Sequence, residues 1–416
     1  MMMKDLDLFE KNTPLNHVKS LAFKRLASTT GEIKALNYIT AQLDTYHIQY
    51  STEPFTWSKS NVFLMKFAFL FIGFYIGIYQ ALLFFPNFTW ILLLLDGLLV
   101  AILYIGVKFL LDMTRIINIG KKKESKNVIA KIKAHTEKTK RPLIIFSAHY
   151  DTISLKYPFY LQLGLYISIA LLSLIYLVLT LVLGIWSLLM LLNILALNDI
   201  YLLIRNLSLL LGFIALSIVI LILLNKRKNK SVGAIDNATG VAILIELAKL
   251  LKKDPLNHAD VVFLWAGAEE WGLWGSKQFC AKHYAHLREE YDLDRSYNIN
   301  IDMVGTYIGL VEETGLLKKK LLNQNLNSVI ESIAHQQKIA LQKAFIPIGA
   351  GSDHMSFSSF AKKHGDSLQV SCLLSHKDGK YVHSKKDQPD LCSAEILNDT
   401  VRLCFNVVKS LDLRFE

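Results

Sequence analysis

The chain has 416 residues, of which 52% are hydrophobic and only 19% charged, with a formal net charge of +11. The length leaves room for two or three domains, and that apolar share is high for a wholly soluble protein. A basic balance suits nucleic acid or an anionic membrane surface. No basic stripe is interleaved with aromatics, and many cations border apolar blocks, so the expected partner is a lipid bilayer and not nucleic acid. Cys280, Cys372, Cys392 and Cys404 lie far apart without a CxxC pair, which is neither a zinc ribbon nor a disulfide framework. Buried reduced thiols are expected. The stretch MMMKDLDLFEK lacks the apolar core of a signal peptide, and nothing asks for an oxidising compartment.

Along the chain, residues 1–60 read as soluble, with helical periodicity over Glu32–Thr45 and strand alternation over His47–Trp57. Val62–Phe85 is then almost wholly apolar, and a bilayer needs roughly 20 such residues. Pro86 and Asn87 mark a turn. Trp90–Leu111 follows as a second span, interrupted by Asp96, so 61–112 reads as a transmembrane hairpin. After Lys121, Lys122 and Lys123 come two strand-like segments, Asn127–Lys133 and Pro142–Ala148. A second membrane block covers 158–225. Beyond it the pattern is α/β, with a helix over Ala238–Leu251 and strands over Asp260–Ala266 and Tyr297–Ile301. The soluble pieces 1–60, 113–157 and 226–416 are expected to form one discontinuous domain.

Three apolar runs end in potential ligands. LIIFSAHYD delivers His149 and Asp151, VVFLWAGAEEWGLWGS delivers Glu269 and Glu270, and YNINIDMVG delivers Asp302. GAIDNATG opens a helix with Asp236 near its start. Continuous apolar strands suit a parallel sheet covered on both faces, and the crevice of such sheets lies at the carboxyl ends of the strands. Each signal alone is weak. A His-x-Asp pair is commonly a hydrogen-bonded pair, and Glu-Glu is commonly solvated surface. Glu269 and Glu270, however, sit between buried-looking residues and Trp271 and Trp274. Buried carboxylates need a counter-charge, and these segments supply almost no Lys or Arg. A metal cation meets that need.

The ordered set SAHYDT, GAIDNATG, AGAEEWGLWGS, NIDMVG, GSDHMSF and YVHSKKD resembles metallopeptidase family 28, the two-zinc aminopeptidases and their glutaminyl-cyclase relatives. The likeness covers about 125–155 and 230–416, and more loosely 13–60. It implies a zinc-exopeptidase-like three-layer α/β domain with a central mixed, mostly parallel sheet, here joined to about four transmembrane helices. By motif, it implies two zinc ions: His149 and Asp302 hold one, Glu270 and His383 the other, and Asp236 bridges them. Glu269 becomes the general base and Asp151 a supporting residue of the catalytic set, while Asp353 and His354 fall near the site without a firm role. The peptide from Asp236 to Asn237 is expected to be cis. His354 and His376 compete with His383 for the last ligand position, which the Tyr-Val-His-Ser context and Asp387 give to His383.

These donors suit the chemistry. Zinc accepts imidazole nitrogen and carboxylate oxygen and leaves a position open for water, and paired zincs about 3.5–4 Å apart activate that water for hydrolysis. Three carboxylate ligands and one hydroxide balance two dications. Glu269, unligated, is then free to move the water's proton to the leaving amine of a peptide substrate. The implied activity is that of a membrane-bound zinc aminopeptidase. A glutaminyl cyclase shares the fold but commonly uses one zinc. Carboxypeptidases and deacylases have similar His-x-Asp and Glu-Glu motifs in different contexts. Outside enzymes, a membrane receptor or transporter subunit with a relic peptidase domain remains open, since Asp96 and Asp199 lie in apolar blocks.

The chain departs from the family in the long membrane block between His149 and Asp236. Both must reach one metal pair, so an even number of crossings is required. Of three apolar stretches, 158–184, 186–204 and 206–224, the middle one carries Asn193, Asn198 and Asp199 and starts at Trp186. A central Asp costs about 2.5–3.5 kcal/mol and Trp favours the interface, so 186–204 is expected to lie along the far membrane surface. Lys59, Lys121, Lys122, Lys123, Lys226, Arg227, Lys228 and Lys230 flank the soluble pieces, and the opposite connections hold only Arg205. By the distribution of Lys and Arg, the catalytic domain faces the cytoplasm.

Overall fold

The computed structural model of the protein describes residues 13–110, 112–314, 320–321, 323–346 and 351–415. The chain forms two compact units, Met1–Ser60, Met113–Ser154 and Arg227–Glu416 in the first, and Asn61–Asp112 and Leu155–Lys226 in the second.

The first unit is built on a nine-stranded sheet in the order β1-β2-β6-β3-β7-β11-β8-β10, with β9 against β8. Its strands are β1 (Tyr50–Trp57), β2 (Lys123–Ile132), β3 (Leu143–His149), β6 (Asp260–Ala266), β7 (Tyr297–Asp302), β8 (Ile308–Thr314), β9 (Lys320–Leu321), β10 (Leu341–Ile346) and β11 (Gln369–Leu374). The two-residue strands β4 (Ser154–Leu155) and β5 (Arg227–Lys228) lie outside it. The central strands β6, β3, β7 and β11 run parallel, whereas β1 with β2, β2 with β6 and β8 with β11 are antiparallel. The sheet is mixed, as expected, with a parallel middle.

Every residue of β3 and β6 is buried, and alternate residues enter different cores. Ile144 and Phe146 of β3, with Val261, Phe263 and Trp265 of β6, pack with Val18, Ile39, Val241, Leu244 and Val401. Those partners come from α1 (Thr13–Leu21), α2 (Thr30–Thr45), α7 (Thr239–Lys253) and α11 (Ala394–Asp412). Leu143 and Ile145, with Val262, Leu264 and Ala266, pack instead with Phe279, Tyr284, Phe357 and Phe360, from α8 (Trp274–Glu290) and α10 (His354–His364). A strand covered on both faces cannot alternate apolar with polar residues, which is why these runs read as unbroken hydrophobic stretches. Helix α9 (Gln324–Gln336) joins the first core through Leu326, Val329 and Ile330.

The second unit contains α3 (Ser60–Leu82, whose first residue belongs to the first unit), α4 (Ile91–Leu110), α5 (Phe159–Leu191) and α6 (Asp199–Leu223). Three of these, Ser60–Leu82, Phe159–Leu191 and Asp199–Leu223, are long and apolar enough to cross a membrane, and Ile91–Gly106 is a shorter apolar helix. Leu111, the expected end of the second span, lies outside the described residues. The expected surface segment at 186–204 does not form. Helix α5 runs on through it to Leu191, the chain turns, and Asn198 caps α6 by accepting from Tyr201 N at 3.0 Å. The polar residues that weakened this stretch in hydropathy are the turn and cap residues Asn193 and Asn198, with Asp199 opening α6, where the helix dipole favours a carboxylate. Two long helices therefore separate His149 from Asp236, an even number. Asp96 sits within α4, 2% exposed, and accepts from Thr180 Oγ1 at 3.1 Å and from Tyr79. Among apolar helices such hydrogen bonds join neighbours where the solvent offers no partner.

Candidate metal centre

Three adjacent parallel strands end at one edge of the sheet. β3 ends on His149, β7 on Asp302, and β6 runs into the turn that carries Glu269 and Glu270. Asp236 lies in the turn just before α7, and His383 follows β11. Two groups with metal-holding geometry result among the described residues: His149 with Asp236 and Asp302, and Asp236 with Glu270 and His383. His149 Nε2 lies 3.0 Å from Asp236 Oδ1 and 3.4 Å from Asp302 Oδ1. His383 Nε2 lies 3.0 Å from both Asp236 Oδ2 and Glu270 Oε2. Asp236 thus turns one oxygen towards each group.

The surrounding backbone explains this convergence. The Asp236–Asn237 peptide is cis, as the resemblance implied. Asn237 fixes the turn by donating to Ile301 O at 2.9 Å and accepting from Gly240 N at 2.9 Å. Asp387 accepts from Ile235 N at 2.6 Å and Asp236 N at 3.2 Å. Gly233 has φ +59, and a Cβ there would meet Thr152 Cγ2 at 2.1 Å and Asp236 O at 2.4 Å. Only glycine combines that left-handed backbone with so close an approach. Asp151, fully buried, accepts from Glu269 N at 2.9 Å and Glu270 N at 3.4 Å, so it sets the turn on which both glutamates stand. Glu269 belongs to neither group, and its Oε2 is 3.9 Å from His149 Nε2.

Arg25 had no signal in the sequence. It is 0% exposed and donates to Tyr150 O at 2.8 Å, Val232 O at 2.7 Å and Gly233 O at 2.9 Å. Burial lowers its guanidinium to about 10, against the attraction of Asp387 and Asp236. One side chain therefore ties the strand end bearing His149 to the turn bearing Asp236. Arg25→Met would leave those carbonyls buried without donors, a cost on the order of 3 kcal/mol or more. A thermal midpoint of the protein unchanged by this substitution would refute that role.

The competing histidines go elsewhere. His376 meets Tyr307 Oη at 3.0 Å and His354 joins neither group. Burial lowers His354 to about 4 and raises the neighbouring Asp353 to about 7.

The electrostatics of the two groups call for positive charge. Burial alone would lower His149, but Glu269 and Asp302, then Asp151 and Asp236, outweigh it and hold the imidazole well above its ordinary value. His383 is raised in the same way by Glu270 and Asp236 against burial. Burial would raise Asp236, yet hydrogen bonds from His149 and His383 keep it well below the usual carboxylate range. Burial pushes Glu269 well up, with Glu270, Asp353 and Asp302 adding to it and His149 opposing. Glu270 Oε1 and Asp302 Oδ1 are buried without a hydrogen-bond partner. Buried carboxylates in this state pair with or coordinate a cation, and two imidazoles with three carboxylates match the donor preference of zinc.

Residues 222–408 match the family described as Peptidase family M28. Over that stretch, somewhat less than half of its length, the chain is similar to this peptidase family. Aminopeptidase YwaD of Bacillus subtilis (strain 168) is 36% identical over 129 residues, which are 30% of this chain and 26% of that protein. The match therefore spans about a quarter of that relative's length. In fold, the chain resembles the aminopeptidase from Aneurinibacillus sp. strain AM-1, with a TM-score of 0.54 and 14% identity over 97% of this chain and 94% of the other. It also resembles the glutaminyl cyclase of Fimbriiglobus ruber, with a TM-score of 0.53 and 13% identity over 96% and 97% of the two chains. At such identities the likeness is one of fold: a mixed central sheet between helices, of the aminopeptidase kind.

Proposed function

We propose that this protein is a membrane-bound, zinc-dependent aminopeptidase that removes N-terminal residues from peptides. The observation that carries the reading is the Asp236 carboxylate, with one oxygen towards each of two His-carboxylate groups, beside a buried glutamate that belongs to neither. His149 and Asp302 would hold one zinc ion, Glu270 and His383 the other, and Asp236 both. When bound, the pair supplies Lewis acidity to the scissile carbonyl and to the attacking water. Glu269 accepts the water's proton and passes it to the departing amine, a task closed to a carboxylate engaged as ligand. Asp151 holds the turn that aims Glu269, and Asp387 and Arg25 hold the turn that aims Asp236. The test is zinc content of the purified chain alongside release of free amino acids from a panel of short peptides. Cyclisation of peptides with N-terminal glutamine, without amino-acid release, would favour the cyclase reading instead. Two metal-holding groups rather than one support the peptidase.

The apolar helices support multi-pass membrane insertion, with the catalytic unit on the cytoplasmic side, where Lys and Arg concentrate. All four cysteines are buried, so sidedness is read from an introduced thiol at exposed Lys138. In intact cells, Lys138→Cys is expected to resist a membrane-impermeant thiol reagent until the cells are opened. Ready labelling beforehand would reverse the orientation.

A further inference from the structure

Outside the two metal-holding groups, cations of the catalytic unit gather around a pair of indoles. Trp57, at the end of β1, and Trp271, next to Glu270, have ring centroids 5.3 Å apart. Lys123 Nζ stands 5.3 Å from the Trp57 ring, and Lys59 Nζ and the Arg227 guanidinium stand 5.0 and 5.1 Å from that of Trp271. Arg227 also donates to the Glu270 carbonyl at 2.5 Å. Lys121 and Lys122 continue the cluster as exposed side chains. Among the described residues, no carboxylate stands at ion-pair distance from Lys59, Lys121, Lys122 or Lys123. Burial, then the neighbouring Lys59 and Lys121, hold the Lys123 ammonium below its ordinary value. Just before the lysine run, Ile119 is 71% exposed and Gly120 has φ +95. Four lysines without a carboxylate at ion-pair distance among the described residues, two of them on aromatic faces and all near a protruding isoleucine in the chain or in space, are built for an amphipathic anion.

Chain position narrows the class of anion. Lys59 immediately precedes α3, Lys121–Lys123 follow α4, and Arg227 follows α6. Each lies where the chain passes between the catalytic unit and an apolar helix. Tryptophan settles at the headgroup level of a bilayer, basic residues beside a span attract anionic lipid, and an exposed isoleucine adds apolar area to such a contact. An acidic peptide would meet the same charges but has no use for Ile119 or for these chain positions.

We propose that the collar formed by Lys59, Lys121, Lys122, Lys123 and Arg227 around Trp57 and Trp271 binds the phosphate headgroups of anionic phospholipids. The proposal rests on the membrane reading above. The full chain, extracted in mild detergent with equal phosphatidylcholine and phosphatidylglycerol, is analysed for retained lipid by native mass spectrometry. Phosphatidylglycerol is expected to be retained in preference. A variant with Lys59, Lys121, Lys122 and Lys123 changed to Gln should retain about tenfold less of it, with zinc content unchanged. A matched control with Lys138, Lys140, Lys252 and Lys253 changed to Gln should retain as much as the native chain. High salt should strip the lipid from the unmodified protein, which keeps the test decisive if the variant misfolds. Equal retention in collar variant and native chain, or equal loss in the control, overturns the proposal. So does a collar variant that keeps its lipid but loses cleavage of acidic peptides, since the collar would then serve substrate. A protein that stays in the aqueous fraction without detergent sinks the membrane reading and the collar together. Detergent-dependent extraction without preference for the anionic lipid sinks the collar alone.

Discussion

Replacing Glu269 by Gln is expected to lower turnover on a peptide substrate by about 10²- to 10⁴-fold, the usual share of a positioned proton carrier, while the zinc content of the purified chain is unchanged. The amide keeps the shape of the side chain and its place on the turn held by Asp151. It cannot take up a proton. Glu269 stands outside both metal-holding groups, so removing its charge should leave the ligand set intact. Zinc content and turnover are measured on the same preparation. Native turnover with full zinc would show that another group moves the proton, whereas joint loss of zinc and turnover would show Glu269 to be a ligand.

Asp236→Ala is expected to remove metal and activity together. Each Asp236 oxygen lies 3.0 Å from a different histidine, so a single substitution strips a ligand from both positions. Mutating residues that merely support a ligand typically costs 10- to 100-fold in metal affinity or activity, and loss of a shared ligand should exceed that. The clearest readout is thermal. A ligand bound only by the folded state stabilises by about 2.7 kcal/mol at one hundred times its dissociation constant. Added zinc should therefore raise the melting midpoint of the native protein and leave that of Asp236→Ala unmoved. Full zinc occupancy in the variant would refute the bridging role.

The parts of the fold legible in the sequence are those whose physics is local. β3 and β6 show as apolar runs because both faces of each are buried, β7 sets Tyr297, Ile299 and Ile301 between the buried amides Asn298 and Asn300, and each strand stops at or shortly before a residue of the site. α7 shows because TGVAILIELAKLL is long and apolar. β8 trails into Glu312, Glu313 and Thr314, β10 carries the exposed Gln342 and Lys343, and β11 is interrupted by Ser371, so periodicity said little there. The division of 186–204 between two helices escaped hydropathy, since a window average cannot separate a turn within apolar residues from a polar surface helix. All five proposed ligands were reached through motifs. Of the scaffold that aims them, Asp151 and Asp387 also lie in motifs, but Arg25 does not: it acts across more than a hundred residues of chain on Tyr150 and Val232, and an arginine in FKRLAST carries no mark of that. Gly233 opens the GAIDNATG motif, but the reason for a glycine there was hidden, because it is set by Thr152, which folding brings against it.

The points where the chain leaves the catalytic unit and returns to it lie close together. Lys230 N donates to Ser154 Oγ at 2.9 Å, which brackets the excursion through α5 and α6. Asn118 Nδ2 donates to Thr56 O at 3.0 Å, and Trp57 pairs with Lys123 across two strands, which brackets the excursion through α3 and α4. Insertions that start and finish at neighbouring surface points are the kind domains accept without redrawing their core. Both apolar excursions thus start and finish at neighbouring points of the first unit, and its sheet closes without them. With short flexible linkers in place of 61–112 and 155–226, the three remaining pieces are expected to fold in water around the same cluster of His149, Asp236, Glu270, Asp302 and His383, and zinc binding by the linked chain would check this.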